Sequence, residues 1–134
     1  MVLVDTPIWS AALRKFDSSG PSVRNTLSTL ILHRGVAMLG PIRQEILSGI
    51  SEKKQFSKLR EELSHFPDLE ILQEDYEEAA ACFNKCRSKG IQGSNTDFLI
   101  CAISLRKNFP ILTTDRDFES FADVLSIELF EIST

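Results

Sequence analysis

Residues 111–118, ILTTDRDF, decide how the chain is read: they set a buried strand end, two hydroxyls and two carboxylates directly ahead of a short apolar helix pattern. Ile111 and Leu112 read as the end of a strand. Thr113, Thr114, Asp115 and Asp117 then gather oxygen where an α/β chain crosses from strand to helix, and open α/β sheets bind ligands at the carboxyl ends of their strands. Taken alone, the stretch has a purely structural reading as well, in which Asp117 caps a helix through Phe118, Phe121 and Ala122 while Asp115 solvates a turn. The choice depends on what else the chain brings to the same edge.

Immediately upstream, residues 96–107 predict a helix apolar on nearly every side, as expected of one packed on a sheet, with Asp97 in its first turn. IQGSN at 91–95 marks the turn before it, and residues 75–89 an alanine-rich helix stopped by Gly90. Downstream, residues 125–130 read as a last strand at the sheet edge. At the other end of the chain, residues 2–4 are a short apolar strand ending on Asp5. Thr6 and Pro7 open a helix in which Ile8, Trp9, Ala12, Leu13 and Phe16 recur at helical spacing, with Pro7 where no amide donor is needed. DSSGP at 17–21 closes it, and a second helix runs through Val23, Leu27, Leu30 and Ile31 to Gly35. Residues 36–39 read as a strand, and Gly40-Pro41 opens a third helix that carries Ile42, Glu45, Ile46 and Gly49 on neighbouring turns. Residues 51–65 are a charged helix with Phe56, Leu59 and Leu63 inward, ended by Pro67, and 69–72 read as a further strand. Strands alternating with helices through short turns predict one α/β domain over residues 1–134, with a mostly parallel central sheet in a three-layer α/β/α arrangement. A length of 134 residues with 43% hydrophobic content suits a single core.

The net charge of −4 is at odds with a protein that grips nucleic acid by overall basicity. A polyanionic substrate would need local neutralisation, and a hard divalent cation on carboxylate oxygen supplies it. The three cysteines, Cys82, Cys86 and Cys101, read as small core residues; His33 and His65 are not spaced with them as zinc ligands are. The longest apolar run, 98–103, falls far short of a membrane span, and the first residues lack the basic start and long apolar stretch of a signal peptide, so a cytoplasmic protein without a membrane partner is expected.

Placed within these units, the acids collect. Asp5 ends the first strand, Asp115 and Asp117 follow a later one, and Asp97 and Glu45 lie near helix starts, so all point toward one carboxyl-end rim. Each has a separate structural use: Asp5 and Asp97 favour helix N-termini, and Glu45 can be a solvated helix glutamate. Together they repel, since like charges at short range cannot all stay ionised, and Mg²⁺ or Mn²⁺ is the natural compensation.

Carried by VLVDT with Trp9, by PIRQEILSGI and by NTDFLICAISLRKNFPILTTDRDF, the whole chain resembles the PIN-domain family, and within it the VapC-type toxin ribonucleases. The resemblance implies a PIN-like α/β/α fold, metal-dependent endoribonuclease activity on RNA, a homodimer, and a cognate antitoxin that folds over the active-site groove. Position by position, the acidic cluster of that family falls on Asp5, Glu45, Asp97 and Asp115, with Asp117 an additional or alternative member. Thr6 and one of Thr113 and Thr114 stand where such proteins place a supporting hydroxyl. Pro7 departs from the family, where a small polar residue is common, and removes a hydrogen bond near Asp5 without removing charge. The mechanism so implied has Asp5, Asp97 and Asp115 on one or two Mg²⁺ or Mn²⁺ ions, with Glu45 completing the site or orienting the attacking water. Arg116, the group Lys85, Arg87 and Lys89, and the group Lys53, Lys54, Lys58 and Arg60 are the candidate contacts for RNA, and equally ordinary solvated faces.

Two other folds that gather aspartates at a sheet edge fit less well. A phospho-accepting receiver needs paired acids after the first strand and a late lysine, and a haloacid-dehalogenase-like phosphatase needs an aspartate where Pro7 stands. The alternatives within the fold are a protein that acts mainly by binding, as part of an antitoxin and operator complex, and a nuclease acting on DNA.

Overall fold

The computed structural model describes residues 1–13 and 20–133. Phe16 and residues 17–19 of the expected breaker lie outside them. The described residues form three strands and seven helices in the order β1 (Val2–Val4), α1 (Thr6–Leu13), α2 (Gly20–Leu32), β2 (Val36–Ala37), α3 (Gly40–Leu47), α4 (Lys53–Leu63), α5 (Gln73–Ser88), α6 (Asn95–Lys107), β3 (Ile111–Leu112) and α7 (Asp117–Val124).

The three strands make a parallel sheet in the order β2-β1-β3, so β1 is central. Its residues, VLV, are buried throughout, the composition a strand covered on both sides requires. Leu3 pairs with Ala37 on one side and with Ile111 on the other, and Val4 pairs with Leu112. Helices α1 to α4 pack among themselves, as do α5 to α7, which places a helical set on either side of the sheet. The core joins both sets through Leu3, Ile8, Leu39, Ile42, Phe98, Ile100, Ile103, Phe118 and Phe121.

The expected strand 36–39 keeps only Val36–Ala37, and two other expected strands fall further short. Residues 69–72 do not form one; the chain touches the sheet there through a single parallel bridge between Met38 and Asp68, with Leu69 N donating to Met38 O at 2.8 Å. Residues 125–130 likewise reduce to a bridge between Ile111 and Leu129. In both segments the apolar residues are held by burial against the core, and that burial is what produced the strand-like pattern.

Three side chains fix the elements that border the strand ends. Trp9 lies in the core, edge-on to Phe66, and its Nε1 donates to Val4 O at 3.2 Å, tying α1 to the end of β1. Arg43 on α3 donates to Asp68 Oδ1 and to the carbonyls of Leu63 and Phe66, which anchors α3 to the chain beyond α4. Arg106 on α6 reaches Asp75 on α5 through two bonds, of 2.6 and 2.9 Å, and the buried Asp75 also accepts from Leu72 N. The three cysteines are buried and unpaired, in keeping with small core residues.

Candidate active site

The register of the sheet builds the centre of the site. Because Val4 pairs with Leu112, the next residues, Asp5 and Thr113, leave the sheet side by side, and Asp5 N donates to Leu112 O at 2.9 Å. Asp5 is 5% exposed. Its Oδ1 accepts from Thr6 N at 2.9 Å and its Oδ2 from Thr113 Oγ1 at 2.8 Å. Burial pushes its carboxyl up to about 6, the charges of Asp97 and Glu45 add to the rise, and the two hydrogen bonds oppose it.

Both threonines serve twice. Thr6 Oγ1 donates to Glu45 Oε2 at 2.7 Å, so an exposed glutamate on α3 is held to the start of α1. Thr113 Oγ1 accepts from Asp115 N at 3.0 Å while it donates to Asp5. Glu45, Thr6, Asp5, Thr113 and Asp115 therefore form one connected chain across α3, α1, the end of β1 and the segment after β3. Asp115 Oδ1 in turn accepts from Asp117 N at 2.9 Å, making Asp115 the residue that turns the backbone into α7. Asp117 is the first residue of α7 and exposed, well placed against the positive end of that helix. Thr114 is exposed as well. Of the two threonines after β3, Thr113 is the one bonded to Asp5.

Asp97 comes from the other helical set. It is half-buried in the first turn of α6, where Ser94 Oγ accepts from Asp97 N and Asp97 Oδ2 accepts from Ser94 N, each at 3.1 Å. This is a reciprocal capping box. Burial raises the Asp97 carboxyl, and the charges of Asp115 and Glu45 raise it further. Asp5, Glu45, Asp97 and Asp115 are thus electrostatic neighbours, as their positions in the strand and helix order require. Ser94 was read from sequence only as part of a turn, although the S-x-x-D spacing from Ser94 to Asp97 is the signature of the box.

Among the described residues, no three His, Cys, Asp or Glu side chains stand close enough together to hold one ion as they are. The donors nevertheless suit a hard cation. Among the described residues Glu45 Oε1, Asp97 Oδ1 and Asp115 Oδ2 accept no hydrogen bond; the charges of Glu45 and Asp97 act on the buried Asp5, and Asp115 is joined to it through Thr113. Mg²⁺ keeps several waters and binds through one or two carboxylates in preference to an all-protein cage. An open carboxylate rim of this kind fits it.

Arg116 is exposed between Asp115 and Asp117, and Lys85, Arg87 and Lys89 are exposed at the end of α5. His33 and His65 are exposed beyond the ends of α2 and α4.

The model of the PIN domain matches residues 2–124. VapC ribonuclease Mb1587 of Mycobacterium bovis is 30% identical over 131 residues, 96% of each chain, and Ribonuclease VapC11 of Mycobacterium tuberculosis matches to the same extent. Among solved structures, FitAcB from Neisseria gonorrhoeae superposes with a TM-score of 0.76 at 20% identity, covering 98% of this chain and 97% of that one. VapBC2 from Rickettsia felis, solved with a DNA fragment from its promoter, gives 0.74 at 20% identity over 99% and 100%. At that identity the structural likeness establishes the fold.

Proposed function

The chain belongs to the PIN-domain family, and from that premise we propose that it is a metal-dependent endoribonuclease, the toxin of a toxin–antitoxin pair, whose site is the rim of Asp5, Glu45, Asp97 and Asp115. The observation that carries the proposal is the hydrogen-bonded chain from Glu45 through Thr6, Asp5 and Thr113 to Asp115. It holds carboxylates of separate elements together although their charges oppose it. The names of the relatives supply the substrate class.

Asp5, Asp97 and Asp115 would hold Mg²⁺ or Mn²⁺, with Asp117 an additional member. When bound, the ion supplies Lewis acidity to the phosphate and an acidified water. The side chains supply the rest. Glu45, with Oε2 occupied by Thr6, has Oε1 left to orient the attacking water and take its proton. Thr113 fixes which way the Asp5 carboxylate faces, and Ser94 does the same for Asp97. Arg116 is the cation closest in sequence for a phosphate of the incoming RNA. A cognate antitoxin covering this groove, a homodimer and a cytoplasmic setting complete the reading. None of the described helices is long and apolar enough to cross a membrane.

The test is incubation of the purified chain, free of antitoxin, with structured RNAs and single-stranded DNA in Mg²⁺, Mn²⁺ or EDTA. Cleavage of RNA that needs the metal and is lost in Asp97→Asn is the expected result. Cutting that survives EDTA or that substitution would overturn the metal chemistry, and preference for DNA would overturn the substrate.

A further inference from the structure

Where α5 ends, the chain leaves a small cavity beside the turn that carries Asp97. Phe83, Arg87, Ile91, Gln92, Gly93 and Phe98 enclose about 250 Å³ there. The floor is apolar: Phe98 is buried, Ile91 and Phe83 are half-buried, and the two phenylalanine rings meet edge to face with centres 5.5 Å apart. The mouth is polar. Gln92 and Arg87 are both exposed, and the Arg87 guanidinium lies over the Phe83 ring, 5.8 Å from its centre. Among the described residues neither side chain makes a hydrogen bond or an ion pair with another. The neighbours of Arg87 at helical spacing, Ala80, Phe83 and Asn84, include no acid.

The walls of the cavity are fixed from both ends. Gly90 turns the chain at a φ of 75°, Ile91 N donates to Cys86 O at 2.9 Å, and Gly93 sits so close to Phe121 that a Cβ would lie 2.5 Å from its ring. On the far side Ser94 is held by its box with Asp97. Gln92 is therefore presented by a pinned segment, and a ligand entering here has little ordering to oppose it. An arginine resting on a ring instead of a carboxylate keeps its charge and its donors for an outside acceptor. A flat group with a polar edge and an attached phosphate matches all three parts: apolar faces for the floor, an edge for the Gln92 carboxamide, which both donates and accepts, and the phosphate for Arg87. An unpaired RNA base is such a group, and bases of this kind are bound by stacking on aromatic or guanidinium planes with hydrogen bonds to their edges. Position selects RNA over a peptide. Ser94, bonded to Asp97, is two residues from Gln92, about 7 Å of extended chain at most, so whatever fills the cavity lies on the path of the substrate across the rim.

We propose that this cavity is a specificity subsite, in which an unpaired base adjoining the cleaved phosphodiester enters over Phe83, Gln92 reads its hydrogen-bonding edge, and Arg87 takes the neighbouring phosphate. The inference rests on the endoribonuclease reading and deepens it by assigning the residues that set the preference for a cut site.

RNA altered one nucleotide at a time tests it. The preferred cut of the full chain in a structured RNA is mapped in Mg²⁺, and each nucleotide flanking the cut is then replaced by an abasic one. One position should raise KM about tenfold, the effect of losing one stacked and hydrogen-bonded base. Gln92→Ala, at an exposed position without a hydrogen bond, should keep the wild-type circular dichroism spectrum, even out cleavage among sites, and no longer respond to that abasic position. Phe83→Leu, which keeps apolar bulk and loses the flat ring, should act in the same direction. Arg87→Ala should weaken binding of every RNA alike and flatten its salt dependence. An unchanged cut-site preference in Gln92→Ala, an abasic penalty that adds in full to that of Gln92→Ala, or RNA binding indifferent to Arg87→Ala would overturn the subsite. Fluorescence anisotropy of the same RNAs in EDTA separates the two readings. Discrimination between the intact and abasic RNAs that needs Gln92, in a chain that cuts nothing, would uphold the subsite and overturn the nuclease reading alone. Metal-dependent cutting indifferent to all three substitutions would overturn the subsite alone.

Discussion

Replacing Asp5 by asparagine should make the folded chain more stable at neutral pH while abolishing cleavage. Unfolded, Asp5 ionises near its ordinary value of 3.8; folded, burial holds it at about 6. Between those values the folded state binds more protons than the unfolded one, so stability falls as pH rises, and the loss is complete above the folded value. At 1.36 kcal/mol for each tenfold change in proton affinity, the ionised carboxylate costs about 3 kcal/mol at pH 7.5. Asparagine removes that cost and keeps the bond from Thr6 N. It forces the Thr113 hydroxyl, now facing an amide donor, to turn, a loss of about 1 kcal/mol. The net expectation is a gain of about 2 kcal/mol at pH 7.5 in EDTA. Near pH 4 the folded wild type holds the proton and the unfolded chain has regained part of its own, so most of the cost, and with it the gain, disappears. Urea titration of the two proteins at both pH values measures it. Added Mg²⁺ should then raise the thermal midpoint of the wild type and leave the variant where it was, because only an ionised Asp5 favours the ion. A variant less stable than wild type at pH 7.5, or one whose advantage is the same at pH 4, would refute the reasoning.

Thr113→Val takes the donor from Asp5 Oδ2 and the acceptor from Asp115 N. Since the Thr113 bond lowers the Asp5 carboxyl, the acid limb of the cleavage pH profile should move to higher pH. Ala at Gly93 would place its Cβ 2.5 Å from Phe121 Cζ and 3.0 Å from Phe98, both fully buried rings. The clash should cost about 1–3 kcal/mol in urea unfolding and, by displacing Ser94, lower cleavage as well. Arg106→Ala leaves Asp75, 2% exposed, with only Leu72 N as a donor. The Arg106 bond, ahead of any other cause, holds the Asp75 carboxyl low, so this pair stabilises above the ordinary carboxylate range and ceases to do so as pH falls. The variant should therefore melt well below wild type at pH 7, and the difference should shrink toward pH 3.

The helices were legible because their apolar spacing and their breakers are local. The rim was legible because element order alone sends Asp5 and Asp115 to the carboxyl ends of parallel strands and puts Asp97 in the first turn of its helix. Residues 69–72 and 125–130 misled because alternating apolar residues report burial, and here burial comes with only a single bridge each. The Ser94–Asp97 box is local and has a sequence signature, but the long-range hydrogen-bond partners are not fixed by any local pattern. Asp5 and Thr113 lie 108 positions apart, and what joins them is the register of β1 on β3. Had β3 paired one residue further along, Thr114, now exposed, would stand beside Asp5, and Asp115 would turn to the other face of the strand. TTD offers two equivalent hydroxyls to any local reading. It is the pairing of Val4 with Leu112, set by the packing of the apolar residues on both strands, that selects Thr113, and with it the direction in which the Asp5 and Asp115 carboxylates face.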